Sequence, residues 1–283
     1  MTPVPRTLPV ALPDLSEWVD HAIQGRATVP AVLLLDLLVR QATEQAGPEP
    51  NTSPLVMREA VFPRFLPADE VESSAFELTL EDVPGEAPST RATLTSRIAL
   101  AGGINRTRIH AAVTLGGSAA VLPAPNILGD FELSADRAYT ELIPFGPRYR
   151  NLRGAIQLGL DGGSAWVRSP EPGFPKPSRA GCPYLFDSAM HLACLWGQRY
   201  AGVVTYPTGF SARVLASPLT HGQRRCVVVP KAIEPRRLTF DLWLTDEDHR
   251  VCDATIALAM TPLTRGPRPP AWVVHTEATR GKP

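Results

Sequence analysis

The feature that most constrains the fold is the run of residues 32–39, which is apolar almost all round when it is drawn as a helix. A helix with one apolar stripe lies on a surface, whereas a helix that is apolar all round has to be buried on every side. Strand-like alternation of apolar and polar residues follows over residues 75–80, 92–100 and 107–115. The first half of the chain is therefore predicted to wrap strands around one helix.

The second half repeats this pattern with a second hydrophobic helix. A helix is predicted over residues 187–199 from apolar residues at helical spacing. These residues are Phe186, Met190, Ala193 and Trp196. Asp187 followed by Ser188 also has the residue types of a helix N-cap. The strand-like segments of this half are residues 154–158, 165–168, 209–215, 226–229, 238–244 and 252–260.

Prolines mark the boundaries between these units. The chain has 283 residues, which is enough for two domains of ordinary size, and Pro123 and Pro125 divide it almost evenly. We predict an N-terminal unit over residues 1–122, a linker over 123–135, a C-terminal unit over 136–264 and a proline-rich tail over 265–283. The halves share no close sequence identity, so this duplication is inferred from the order of the elements.

The charge of the chain argues against several kinds of partner. Lys and Arg together number 28, as do Asp and Glu, so the formal net charge is zero. This balance gives no global field that favours a nucleic acid or an anionic membrane. The longest apolar run, residues 29–35, is too short to span a bilayer, and residues 1–6 do not resemble a signal peptide. We expect a cytoplasmic protein.

The four cysteines predict neither disulfide bonds nor a metal site. They are Cys182, Cys194, Cys226 and Cys252. They follow no CxxC spacing, and three lie in apolar segments where a thiol packs as a small hydrophobe. We expect all four to be reduced and buried. Asp187, His191 and Cys194 lack a fourth partner that would complete a metal site.

Two short motifs carry the chemistry. The first, His21-x-x-x-Gly25-x-x-x-x-Pro30, supplies an imidazole that can take a proton. The second, Asp187-x-x-x-His191, supplies a carboxyl group that can give one. The motifs are over a hundred residues apart in the chain, so only folding can bring them together. Such an acid/base pair indicates an enzyme.

With two further segments, these motifs resemble a known family. Residues 145–152 read FGPRYRNL, and residues 206–210 read YPTGF. In this order, the four segments resemble the signatures of polyketide synthase dehydratase domains. The resemblance implies an α+β double hotdog, with two antiparallel sheets that each wrap around a central hydrophobic helix. It also implies an enzyme that removes water from a 3-hydroxyacyl thioester carried on an acyl carrier protein.

The resemblance and the residue chemistry imply the same roles. His21 is expected to take the α-proton and Asp187 to protonate the leaving hydroxyl, while His191 orients Asp187 or contacts the departing water. Apolar neighbours are expected to raise the pKa of Asp187, which suits an acid. The predicted substrate-binding residues are Gly25, Pro30, Phe145, Gly146, Pro147 and Tyr149. No metal or other cofactor is implied, because the substrate arrives on the phosphopantetheine of the carrier protein.

Two groups of charged residues have open interpretations. Arg148, Arg150 and Arg153 either contact the phosphopantetheine phosphate or an acidic carrier protein, or they are the solvated charges of a strand edge. Asp36 either competes for the acid role or pairs with Arg40 one helical turn later, and the pairing is favoured.

Phe145 departs from the family pattern, because these dehydratase domains usually carry a tyrosine there. A hydroxyl near the acid is missing unless Tyr149 supplies it. The departure leaves two alternatives to dehydration: a double-hotdog cyclase or double-bond isomerase that uses the same residues, and a catalytically idle scaffold that docks carrier proteins. Both His21 and Asp187 are present, which argues against the scaffold, since buried ionisable groups are costly without a use. We expect a separate polypeptide acting in trans, and a homodimer is compatible with this fold.

Overall fold

The structure is a computed structural model of the chain. It describes residues 4–46, 54–85, 87–99, 105–170, 178–216, 222–264 and 266–275. Each half contains one long central helix that is wrapped by antiparallel strands. The predicted α+β double hotdog is therefore confirmed.

The first half forms its elements where the apolar patterns predict them. In chain order they are β1 (Arg6–Val10), α1 (Leu15–Trp18), β2 (Ala22–Ile23), β3 (Arg26–Ala27), α2 (Ala31–Ala46), β4 (Leu55–Val61), α3 (Ala68–Glu72), β5 (Ala75–Val83), β6 (Ser89–Ala99) and β7 (Asn105–Gly116). The run 32–39 lies within α2, and β5, β6 and β7 correspond to the three predicted strands. Residue 100, the end of one predicted strand, lies outside the described residues.

The second half has more strands and several irregular turns. Its elements are β8 (Phe131–Ser134), α4 (Ala135–Arg137), a π-helical turn (Ala138–Leu142), a 3₁₀ turn (Pro147–Tyr149), β9 (Leu152–Gly159), β10 (Gly162–Arg168), α5 (Pro183–Trp196), a second π-helical turn (Gly197–Ala201), β11 (Thr205–Leu215), β12 (Gln223–Glu234), β13 (Arg237–Thr245) and β14 (Val251–Pro262). The strands β9 to β14 contain every strand-like segment predicted for this half.

The two sheets join edge to edge. The strand order is β1-β5-β6-β7-β4 in the first half and β11-β14-β13-β12-β10-β9-β8 in the second. β4 and β11 pair antiparallel from Leu55 opposite Leu215 to Val61 opposite Gly209. The resemblance implied two sheets, and the structure makes them one continuous twelve-stranded sheet.

Helix α5 begins earlier than predicted. Pro183 occupies its first turn, where the missing N–H costs nothing and the fixed φ suits a helix. Asp187 therefore lies inside the helix, and its interpretation as an N-cap is wrong. The Ser188 hydroxyl donates to the Tyr184 carbonyl within the same helix. All fourteen residues of α5 are buried, so the helix lies in the interior of the second half.

The predicted linker and tail both contain ordered structure. β8 lies within residues 123–135 and pairs with β9, with Phe131 opposite Leu158. Of the predicted tail 265–283, the structure describes residues 266–275. Within this part, Val273 is fully buried and the His275 N–H donates to the Arg199 carbonyl. The rest of the tail lies outside the described residues.

The thiols behave as predicted. Cys182, Cys194, Cys226 and Cys252 are all free and buried. Within the described ranges, no helix combines the length and the apolar character that a membrane span requires.

Candidate active site

The β2–β3 hairpin positions His21. Its turn is formed by Gln24 and Gly25, whose φ values of 52° and 77° are those of a tight hairpin turn with two left-handed residues. At the open end of the hairpin, His21 Nδ1 lies 2.8 Å from the Thr28 carbonyl oxygen. Because a carbonyl only accepts hydrogen bonds, Nδ1 carries the proton. The unprotonated Nε2 is then free to act as a base.

Helix α5 supplies the carboxyl group and a second imidazole, one turn apart. His191 Nε2 lies 2.9 Å from Asp187 Oδ2. This is an ion-pair distance, but the two groups are not aligned as a hydrogen bond, and neither atom has a hydrogen-bond partner among the described residues. Both side chains are about 95% buried. Buried polar atoms without partners are rare and often mark functional sites.

Phe145 brings the two halves together. Its ring stacks on His21 with centroids 4.4 Å apart and tilts against His191 at 5.1 Å. The Gly146 N–H anchors this segment by donating to the Asp20 carbonyl over 2.7 Å. A Cβ at Gly146 would lie 2.5 Å from Asp20 Cγ, so only glycine allows this approach. An imidazole from the first half and the acid helix of the second half therefore converge.

These groups open onto one cavity of about 430 Å³. His21, Asp187 and His191 all line it. Much of the remaining wall is apolar and includes Val29, Leu34, Phe62, Met190 and Met260. The arrangement suits a ligand with a reactive polar end and an apolar chain.

The other predicted substrate-binding residues divide into two sets. Gly25 and Phe145 line the cavity, whereas Pro30, Gly146, Pro147 and Tyr149 are not part of its wall. The Pro30 carbonyl accepts the first hydrogen bonds of α2, and the next residue, Ala31, borders the cavity.

Tyr149 supports the site from behind. Its ring lies 5.1 Å from that of His21, and its hydroxyl donates to the Glu17 carbonyl over 2.9 Å. The hydroxyl is thus committed to the backbone and does not replace the one that Phe145 lacks. The segment YPTGF contributes Tyr206 and Pro207 to the cavity wall.

The three arginines contact the backbone. The Arg148 guanidinium donates to the Ser16 carbonyl, and Arg150 Nε donates to the Phe145 carbonyl over 2.7 Å. Arg153 donates to the carbonyls of Arg150 and Leu152. They lie outside the cavity wall, and their role toward a carrier protein stays a prediction.

Asp36 is engaged in structural contacts. Arg40 Nε donates to its carboxylate over 2.6 Å, which confirms the predicted pairing. The Ser178 hydroxyl donates to its other oxygen. Burial raises the pKa of Asp36, and the bonds from Ser178 and Arg40 oppose that rise. Asp36 does not line the cavity.

Burial and neighbouring charges act in opposite directions on the two central groups. Burial lowers the pKa of His21, although the nearby Asp187 carboxylate partly offsets it. Burial also raises the pKa of Asp187, but positive charge on His191 and His21 outweighs burial and holds this pKa below its usual value. The prediction of a raised pKa for Asp187 is therefore wrong. The part of this lowering that comes from charge requires protonated histidine rings.

Sequence reasoning missed Tyr139. Its hydroxyl oxygen lies 3.3 Å from His191 Nδ1 and accepts hydrogen bonds from the N–H groups of Asn151 and Leu152. Tyr139 lies in the π-helical turn, a type of distortion that is frequent at functional sites. Nothing in the local sequence links it to a residue on another helix, so only the fold reveals the contact.

Comparison with known proteins gives matches at the level of structure only. No protein-family model matches the sequence, and no curated protein matches it. The dehydratase domain of the polyketide synthase PpsC from Mycobacterium tuberculosis superposes with a TM-score of 0.70 at 20% identity, covering 93% of each chain.

Two further dehydratase domains are similarly close. That of RzxB from Pseudomonas fluorescens has a TM-score of 0.68 at 17% identity, covering 91% of this chain and 94% of the other. That of a trans-AT PKS from Brevibacillus brevis has a TM-score of 0.70 at 15% identity, covering 92% and 93%. The chain therefore has the double-hotdog fold of polyketide synthase dehydratase domains.

Proposed function

We propose that the protein is a dehydratase that eliminates water from a 3-hydroxyacyl thioester presented by an acyl carrier protein. The observation that carries this proposal is the convergence of His21 and Asp187 on one largely apolar cavity. A base and an acid that face the same ligand from two sides are what an elimination requires.

His21 is the base of the first step. Its Nδ1 proton is held by the Thr28 carbonyl, so Nε2 removes a proton from Cα of the substrate. The pKa of His21, lowered by burial, keeps the ring neutral at neutral pH. Negative charge that develops on the thioester oxygen is stabilised by the backbone at Gly25 and by the N-terminal end of α2, both of which border the cavity.

Asp187 is the acid of the second step. The electrons of the Cα–H bond form the Cα=Cβ double bond, and the C3–O bond breaks. The hydroxyl leaves as water with the proton of Asp187, whose carboxyl group lines the cavity. Transfer of a proton from His21 to Asp187 then restores both residues for another cycle.

A thioester on phosphopantetheine suits the shape and the chemistry of this site. The cavity has a volume of about 430 Å³ and much of its wall is apolar, as an acyl chain requires. The dehydratase domain of PpsC, which shares the fold, was solved in complex with C12:1-CoA, an acyl thioester. We assign Arg148, Arg150 and Arg153 to the carrier side, since Arg150 and Arg153 are exposed beside the anchored segment.

The test is direct conversion of synthetic 3-hydroxyacyl pantetheine thioesters of several chain lengths, followed by mass spectrometry. The protein is expected to yield a product that is lighter by one water. His21→Ala is expected to lower kcat by about 10²- to 10⁴-fold, the usual contribution of a general base.

The matched control is His249→Asn, which alters an exposed histidine whose positive φ asparagine tolerates. Control and parent are expected to agree. Equal rates for His21→Ala and the parent would refute the mechanism. A product of unchanged mass, with a new ring or a moved double bond, would refute dehydration in favour of a cyclase or isomerase.

A further inference from the structure

Three polar groups surround the Tyr139 hydroxyl. Its oxygen accepts from the N–H of Asn151 and from the N–H of Leu152, each over 2.9 Å. Its third neighbour is His191 Nδ1 at 3.3 Å. The ring of Tyr139 meets that of His191 edge-on, with centroids 5.8 Å apart. Tyr139 is 3% exposed, so water does not compete for these positions.

Counting protons fixes the direction of the third bond. A backbone N–H can only donate, so the bonds from Asn151 and Leu152 both use the acceptor capacity of the phenol oxygen. The remaining phenol proton then points to His191 Nδ1, which must accept it. If Nδ1 carried a proton, it would be a third N–H donor facing the phenol oxygen. The phenol proton would then have no acceptor. The favoured state of His191 is therefore neutral, with its proton on Nε2.

We infer that Tyr139 is a positioning residue that holds His191 as the neutral Nε2–H tautomer, so that His191 places an uncharged ring, not a positive charge, beside Asp187. This inference rests on the proposed function for its catalytic meaning, since Asp187 is the acid only there. The assignment of the tautomer itself rests on the hydrogen bonds of the Tyr139 hydroxyl and does not depend on the reaction.

The consequence concerns the proton on Asp187. A positive His191 at 2.9 Å would favour the carboxylate and deprive the site of its acid. A neutral Nε2–H removes that charge, so the effect of burial, which favours the protonated carboxyl group, is opposed less strongly. Within the part of the chain that the structure describes, the other titratable groups beside His191 are Asp187 on its own helix and His21 from the first half. Burial keeps His21 neutral as well. Neither ring then carries a positive charge that would favour the carboxylate form of Asp187.

The first test needs no substitution at the site. Histidine labelled with nitrogen-15 reports its tautomer directly, because protonated and unprotonated ring nitrogens have distinct chemical shifts. The chain has six histidines, and His191→Gln assigns the signal of interest. We expect Nδ1 of His191 to be unprotonated and Nε2 protonated between about pH 6 and about pH 8. An imidazolium or an Nδ1–H tautomer in this range would overturn the inference.

The second test removes the phenol hydroxyl with Tyr139→Phe. The Nε2–H tautomer of His191 is then expected to lose its dominance in the nitrogen-15 spectrum, and the basic limb of the kcat profile is expected to move to lower pH. The matched control is Tyr200→Phe, whose hydroxyl donates to Asp130 away from His191. An unchanged tautomer and pH profile in a folded Tyr139→Phe would overturn the inference.

The two proposals fail in different ways. If the parent shows the expected tautomer but dehydrates no thioester, Tyr139 still positions His191 and the proposed function is wrong. If the parent dehydrates its substrate while His191 is an imidazolium, the function stands and the role of Tyr139 is wrong.

Discussion

Helices α2 and α5 occupy equivalent places in the two halves, and each buries one aspartate. Asp36 in α2 is bound by Arg40 and Ser178 and lies away from the cavity. Asp187 in α5 borders the cavity and has an oxygen without a hydrogen-bond partner among the described residues. The difference teaches that burial alone does not identify a catalytic acid. A buried polar group whose hydrogen bonds are all made by its neighbours stabilises the fold. A buried polar group that faces a cavity and lacks a hydrogen-bond partner is available for chemistry.

The strongest test of this contrast substitutes each aspartate by its isosteric amide. Asp187→Asn is expected to lower kcat by about 10²- to 10⁴-fold, because the amide cannot supply the proton. Asp36→Asn is expected to keep kcat near that of the parent while lowering the free energy of unfolding by about 1–3 kcal/mol, through weaker bonds to Arg40. Thioester dehydration and urea unfolding measure the two effects. A larger catalytic loss at Asp36 would break the comparison.

The same contrast applies to ion pairs. The Arg213 guanidinium contacts both oxygens of Asp253, with distances of 2.5–3.0 Å, and both side chains are at least 98% buried. Asp253→Ala leaves a buried charge unpaired and is expected to lower the free energy of unfolding by about 3–5 kcal/mol. Asp69→Ala breaks the exposed pair with Arg26 and is expected to leave the free energy of unfolding nearly unchanged. Equal losses in chemical denaturation would contradict the contrast.

His110 is a buried histidine of the first half that does not line the cavity. Its Nε2 contacts the Ser96 hydroxyl, and burial lowers its pKa to about 4. Above the unfolded value near 6.5, both states are neutral and stability does not depend on this group. Between 6.5 and about 4 the unfolded chain takes up a proton that the folded chain does not. The free energy of unfolding therefore falls as pH falls, by at most about 1.4 kcal/mol per pH unit.

Urea unfolding at about pH 7 and about pH 5 measures this effect. His110→Gln, which keeps a polar partner for Ser96, is expected to reduce the pH dependence and to leave the kcat profile unchanged. A pH dependence that is equally steep in the variant would show that other groups control it.

The smallest expected effects concern two glycines with left-handed backbone. Gly25 and Gly202 have φ values of 77° and 65°, and a Cβ at either would meet nothing within 4 Å. Alanine at each is expected to cost about 1–2 kcal/mol of stability through backbone strain alone. Only Gly25 borders the cavity, so only Gly25→Ala is expected to lower kcat/KM as well. Loss of kcat/KM in Gly202→Ala would indicate an indirect effect of strain.

The sequence predicted the fold more completely than the site. Apolar periodicity located both central helices, because a helix that is buried on every side leaves a strong pattern. It did not locate the start of α5, since Pro183 and the residues after it are as apolar as the helix itself. It also did not predict that β4 and β11 would join the sheets, because pairing between distant strands leaves no local signal.

At the site, local motifs identified His21, Asp187 and His191, and the structure brings these three together. The motifs could not reveal which neighbours set the charge of each group. Tyr139 and Thr28 control ring protons through contacts that depend on tertiary structure. For the same reason, the sign of the shift in the pKa of Asp187 followed from its charged neighbours, not from its apolar flanking residues.

The continuous hydrogen bonding between β4 and β11 has a consequence for assembly. When a site is formed between two separate subunits, it is lost when the subunits dissociate on dilution. Here both lobes belong to one polypeptide and share a strand pair, so the cavity is a unimolecular structure whose integrity does not depend on protein concentration. Because the two lobes differ in sequence, one lobe can carry the base and the other the acid.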